Sequence, residues 1–293
     1  MKPVRKAILP VGGLGTRLLP ATKAVPKEML TIVDKPLIQY AVEEASAAGI
    51  ENLIFVIGPD KEAIAQHFDE RAHLQDALEE QGKNDALEAV QESSLAPGRY
   101  AYVRQSVPLG VGHAIWCATS LINSEPVAVL LPDDLMLCET PCVKQLIEVY
   151  QQVGGNVVAV ESVRQEDTSR YGIVDVGGES GAVVEVQGIV EKPDPERAPS
   201  TLAVIGRYIL QPEVIEALEE QKPGAGGEIQ LTDAIAATLG KVPLHAVRFE
   251  GRRFDCGSKL GFIEANVAFA LARQNLRGDM IALIERHSRE FQG

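Results

Sequence analysis

Residues 12–17, Gly-Gly-Leu-Gly-Thr-Arg, follow the apolar run Ala7-Ile8-Leu9-Pro10, which reads as a buried strand. Glycines let a backbone turn sharply and approach a ligand closely. Successive N–H groups in such a turn form a concavity suited to phosphate oxygens. Arg17 adds a fixed, forked cation and Lys27 a mobile one. Residues 1–35 carry seven basic side chains (Lys2, Arg5, Lys6, Arg17, Lys23, Lys27, Lys35) against two acidic ones (Glu28, Asp34), in a chain of formal net charge −13. A cationic, glycine-rich opening on an acidic protein points to a polyphosphate site. Asp133 and Asp134 end the apolar run that begins at Val127. Carboxylates at the carboxyl end of a strand suit Mg²⁺, which takes one or two of them with phosphate oxygens and keeps several waters. Of two adjacent aspartates, one caps the next turn and the other binds. Asp255, in Phe254-Asp255-Cys256-Gly257-Ser258, stands between a strand-like segment and a helix, where an aspartate can also serve as a cap.

Two common phosphate motifs are excluded. A dinucleotide fingerprint needs a third glycine where Leu18 stands, and no acidic residue follows the second strand, which runs into Gly58-Pro59. A P-loop ends in Gly-Lys-Ser/Thr, whereas this turn ends Gly15-Thr16-Arg17.

The stretch GGLGTRLLPATKAVPKEML, followed by Asp34-Lys35-Pro36-Leu37-Ile38-Gln39-Tyr40, resembles the signature of sugar-nucleotide pyrophosphorylases. Within that family it is similar to the bacterial UTP–glucose-1-phosphate uridylyltransferases. The usual pattern there has Ala-Ala where this chain has Val11-Gly12. The resemblance covers nearly the full length and is strongest at 7–40, 104–114, 130–135, 171–193 and 254–258. It implies the reaction UTP + glucose 1-phosphate ⇌ UDP-glucose + pyrophosphate. It further implies that Gly12, Gly13, Gly15, Thr16, Glu28, Gln105 and Gly110 hold the nucleotide. The Gln105 carboxamide both donates and accepts, which suits a uracil edge. Arg17 and Lys27 would hold the pyrophosphate. Gly172 and Glu191 would hold the sugar, and Lys192 the attacking phosphate. Asp133 and Asp255 would share one Mg²⁺. His113 reads as structural. The sugar phosphate, with a second pKa near ~6, is largely dianionic at neutral pH and needs no general base. Catalysis would then be positioning and charge neutralisation. A thymidylyltransferase using dTTP shares most of these groups. A non-catalytic sugar-nucleotide sensor is disfavoured by the presence of both aspartates. A nicotinamide oxidoreductase is disfavoured by the missing third glycine.

The elements that must position these groups alternate as strands and helices over the first half. This predicts an α/β fold with a Rossmann-like mixed, mostly parallel central sheet flanked by helices. Expected strands include 7–10, 52–57, 100–103, 127–131, 157–160, 173–176, 182–190, 203–210 and 244–249. Helices are expected at 36–48, 231–239 and from 259 onward. Residues 60–94 read as a peripheral, solvated helical insert. No repeat or linker divides the chain, so 1–293 is expected to be one domain. Its nucleotide half is about 1–155 and its sugar half about 156–258, with a helical tail at 259–293 available for oligomer contact. The resemblance implies a homodimer or homotetramer. The 293 residues are 45% hydrophobic and 24% charged, an ordinary globular balance. The net negative charge argues against nucleic-acid or membrane-surface binding. The four cysteines lack C-x-x-C spacing and read as reduced thiols of a cytoplasmic protein, with no zinc site. The opening is too briefly apolar for a signal peptide. No run approaches the ~20 apolar residues of a membrane helix.

Overall fold

The computed structural model describes residues 1–292. Nine strands form one sheet: β1 (Lys6–Val11), β2 (Asn52–Ile57), β3 (Tyr100–Arg104), β4 (Val127–Leu130), β5 (Asn156–Ser162), β6 (Gly172–Ser180), β7 (Val183–Glu191), β8 (Leu202–Leu210) and β9 (Leu244–Arg248). Their order is β3-β2-β1-β4-β8-β5-β9-β7-β6. The first four are parallel to one another, with Val11 opposite Ile57 and Ile57 opposite Arg104. Beyond β4, among the described residues, the only parallel neighbours are β5 and β9; β8 and the β6–β7 hairpin run antiparallel to their partners. The mixed sheet is as expected. Its parallel character, however, is concentrated in β1–β4, whereas beyond β4 most neighbours are antiparallel.

Strand side chains alternate between two cores, following the period-two pleat. Ile8, Ile54, Val56, Val127 and Val129 face one layer, with α2 (Val111–Cys117) and α4 (Leu231–Thr238) packed against it. Ala7, Leu9, Leu53, Phe55, Ala128 and Leu130 face the other, covered by α1 (Leu37–Ala47) and α3 (Cys142–Val153). All four residues of β4 are buried, as a parallel strand covered on both faces requires.

Two short ribbons lie outside the sheet. Asp134–Leu137 pairs antiparallel with Arg252–Asp255, placing Asp255 opposite Asp134. Thr31–Ile32 pairs with Lys35–Pro36. A third cluster, including Ile32, Leu135, Phe254 and Phe269, seals both ribbons against α5 (Lys259–Ala272). The tail continues as α6 (Gln274–Gln292). Among the described residues no helix is long and apolar enough to cross a membrane, and all four cysteines are free thiols.

The helical insert is only partly peripheral. Helices Ala72–Glu80 and Asn84–Ser93 bury no residue. Helix Glu62–Phe68 instead buries Ile64 and Phe68 completely, and Lys61 just before it is also buried. Two large apolar residues four apart on a short helix are enough to dock it, despite the polar remainder.

One buried ion pair steadies the end of β4. Arg207 is 1% exposed, and its Nη2 donates to Glu44 Oε2 at 2.7 Å. Its Nη1 donates to the carbonyls of Leu131 (3.0 Å) and Gly206 (2.8 Å). Glu44 also accepts the Val143 N–H at the start of α3. Removing one partner of such a pair strands a buried charge. Glu44→Ala is therefore expected to cost about 3–5 kcal/mol of folding free energy in chemical denaturation.

Candidate active site

The parallel register sets the carboxyl ends of β3, β2, β1 and β4 side by side. The residues that follow them form a cleft of about 410 Å³. Its lining includes Gly12, Gly13, Gly15, Thr16, Lys27, Glu28, Gln105, Gly110 and Asp133. The first four come from the turn after β1. Gly15 is left-handed at φ 65°, and its carbonyl accepts the Thr22 hydroxyl at 2.8 Å. Among the described residues the N–H groups of Gly13, Leu14 and Gly15 donate to no backbone or side-chain acceptor, which leaves them available to an anion.

Lys27 Nζ lies 2.6 Å from Asp133 Oδ2. A Cβ on Gly13 would stand 3.7 Å from that same Nζ, so the lysine bridges the glycine turn and the end of β4. Burial pushes the Asp133 carboxyl up, but the charge and hydrogen bond of Lys27 outweigh it and hold it below its ordinary value. Burial likewise depresses Lys27, and Asp133 and Glu28 more than restore it. Both are ionised at neutral pH.

Glu28 is 1% exposed; its Oε2 accepts from Lys61 Nζ at 2.7 Å. Its Oε1 is buried with no partner. Burial raises the Glu28 carboxyl, against the pull of Lys61 and Lys27. Glu28 also lines the cleft.

The two aspartates converge through the ribbon. A Cβ on Gly257 would stand 3.0 Å from Asp255 Oδ1, 3.4 Å from Asp133 Oδ2 and 3.9 Å from Arg17 Nη1. Two carboxylate oxygens and a guanidinium thus surround one point that only a glycine leaves open. The Cys256 N–H donates to the Asp133 carbonyl at 2.8 Å, which fixes the spacing. Among the described residues no group of three or more His, Cys, Asp or Glu could hold a metal. Two carboxylates with room for water and phosphate oxygens is a donor set that fits Mg²⁺. Asp134 is structural: it accepts from Arg253 Nε at 2.7 Å and from the Gly206 N–H at 2.8 Å.

Gly172, Glu191 and Lys192 stand apart from this cleft. Glu191 Oε2 accepts the Thr232 hydroxyl at 2.7 Å, and Glu191 Oε1 pairs with Lys192 Nζ at 3.0 Å. A Cβ on Gly172 would come within 3.0 Å of Thr232 Oγ1 and 3.2 Å of Glu191 Oε2, so Gly172 is where the backbone admits that pair. Lys192 has φ 46°, and its N–H donates to the Tyr171 carbonyl at 2.9 Å. Arg170 links the two regions through Asp255 Oδ2 at 3.0 Å. Arg17, Lys27, Asp133 and Asp255 are therefore brought together, whereas Lys192 rests on Glu191.

Sequence reasoning missed Lys61, Arg170, Thr232 and Glu228. Lys61 follows β2, so the strand-end rule that singled out Asp133 also pointed to it. Glu228 lines the cleft because the Ile229 N–H donates to the Leu109 carbonyl at 2.7 Å, a contact without local signal.

A family model described as nucleotidyl transferase matches residues 6–271. The chain is 53% identical to the UTP–glucose-1-phosphate uridylyltransferase of Komagataeibacter xylinus, over 89% of this chain and 92% of that one. It is 51% identical to the enzyme of the same name from Staphylococcus haemolyticus, over 97% and 99%. The structure of a UTP-bound UGPase from Acinetobacter baumannii superposes with a TM-score of 0.87 at 41% identity, covering 96% of this chain and 98% of that one. The glycine turn, Lys27 and the paired aspartates thus sit in a chain that belongs to the nucleotidyl transferase family, among its UTP–glucose-1-phosphate uridylyltransferases.

Proposed function

We propose that this chain forms UDP-glucose and pyrophosphate from UTP and glucose 1-phosphate. The observation that carries the reading is the single point shared by Asp133, Asp255 and Arg17 beside the glycine turn. Asp133 and Asp255 would hold Mg²⁺, which when bound neutralises charge between nucleotide and sugar phosphates. The free N–H groups of residues 13–15, with Arg17 and Lys27, bind the phosphates that leave as pyrophosphate. Gln105 and Gly110 take the base, and Glu28 Oε1 accepts a hydroxyl. Gly172 and Glu191 hold the sugar, and Lys192 orients its phosphate. No residue need remove a proton, because the attacking phosphate is already dianionic. The chain works as one domain, with nucleotide and sugar halves meeting near residue 155. α6 leaves Ile281, Leu283, Ile284 and Phe291 exposed, an apolar strip that supports assembly as a homodimer or homotetramer.

Pyrophosphate release, measured across four nucleotides and several sugar 1-phosphates, is expected to be fastest for UTP with glucose 1-phosphate and to require a divalent cation. Faster release with dTTP would reassign the chain as a thymidylyltransferase. No release from any pair would remove the catalytic reading.

A further inference from the structure

We propose that His113 fixes which end of the Gln105 carboxamide faces the base, and thereby selects uracil over cytosine; this rests on the UTP-dependent reading above. The Gly110 carbonyl can only accept, so the carboxamide atom 3.1 Å from it is the nitrogen. The same nitrogen lies 2.9 Å from His113 Nδ1. An amide nitrogen donates and does not accept, so Nδ1 carries the lone pair of a neutral ring. The ring proton then sits on Nε2, which faces Cys117 Sγ at 3.9 Å. The imidazole stacks on Trp116, with centroids 5.7 Å apart and planes 22° from parallel. Burial lowers its pKa and outweighs a hydrogen bond to the Val107 carbonyl that raises it, in keeping with a neutral ring.

Both amide N–H bonds of Gln105 are therefore committed, and its oxygen is what remains. That oxygen lies over Gly12, where a Cβ would come within 2.3 Å of it. Any side chain at position 12 would push it aside. Gly12, Gln105 and Gly110 all line the cleft. An acceptor there matches the N3–H of uracil or thymine and opposes the N3 lone pair of cytosine. His113 is thus a positioning residue: it does not touch the base, but it sets the polarity of the group that does.

The test is the ratio of kcat/KM for UTP to that for CTP, with glucose 1-phosphate as the second substrate. His113→Leu removes the acceptor, lets the amide turn, and is expected to lower the ratio by about tenfold or more. His113→Asn restores an acceptor oxygen and is expected to keep the ratio within about threefold of the parent. An unchanged ratio in His113→Leu, or a collapsed one in His113→Asn, overturns the proposal. Nitrogen-15 NMR of the histidine-labelled parent protein gives an independent reading if the leucine variant does not fold. A proton on Nε2 and a bare Nδ1 are expected at neutral pH; a proton on Nδ1 overturns the assignment. An inactive parent protein would sink the functional reading itself, whereas an active one with either adverse result would sink only the role of His113.

Discussion

Asp133→Asn is expected to lower kcat for UDP-glucose formation by about 10²–10³. Asparagine keeps the shape of the side chain but loses the charge that meets Lys27 Nζ at 2.6 Å and faces the point shared with Asp255 Oδ1 and Arg17 Nη1. The Asp133 carbonyl still accepts the Cys256 N–H, so the ribbon keeps its register. Steady-state kinetics over a range of Mg²⁺ concentrations, with a thermal melt beside them, check the prediction. A lost rate with an unchanged melt places the effect in the chemistry. An unchanged rate would remove Asp133 from the site. Asp134→Asn behaves differently, because Asp134 serves Arg253 and the Gly206 N–H rather than the shared point. Its cost is expected to appear in the melt.

Lys192→Ala is expected to lower kcat/KM for glucose 1-phosphate by about 10²–10³. The KM for UTP is expected to stay within about threefold, since Lys192 lies outside the cleft that Gly13, Lys27 and Gln105 line. The ammonium rests 3.0 Å from Glu191 Oε1. A dianionic phosphate offers it more charge than one carboxylate does, so the lysine has reason to change partners when the sugar phosphate arrives. Initial rates with each substrate varied in turn separate the two effects. An unchanged kcat/KM for glucose 1-phosphate would exclude the lysine from phosphate binding.

Much of this site was legible in the sequence because its parts lie at the ends of strands. The runs that end at Val11, Ile57, Arg104 and Leu130 could be seen as strands, and parallel packing brings such ends to one edge. What stayed hidden depends on contacts that no local pattern encodes. Lys61 pairs with Glu28 across 33 residues, and Thr232 with Glu191 across 41. The region from 156 to 249 was read as strands, but their pairing order β8-β5-β9-β7-β6 reflects long-range packing. The glycine at position 12 was read as a backbone contact to nucleotide; the structure shows in addition that its missing side chain makes room for Gln105 Oε1.

Asp133 and Asp255 are 122 positions apart, yet both hang from one two-strand ribbon whose rungs join Asp134 to Asp255 and Leu137 to Arg252. Their separation is measured across a few peptide units rather than along the intervening chain. The gap between the two carboxylates is therefore set by the ribbon, with Arg170 on Asp255 and the Gly206 N–H on Asp134, and not by the length of the loops that join these anchors.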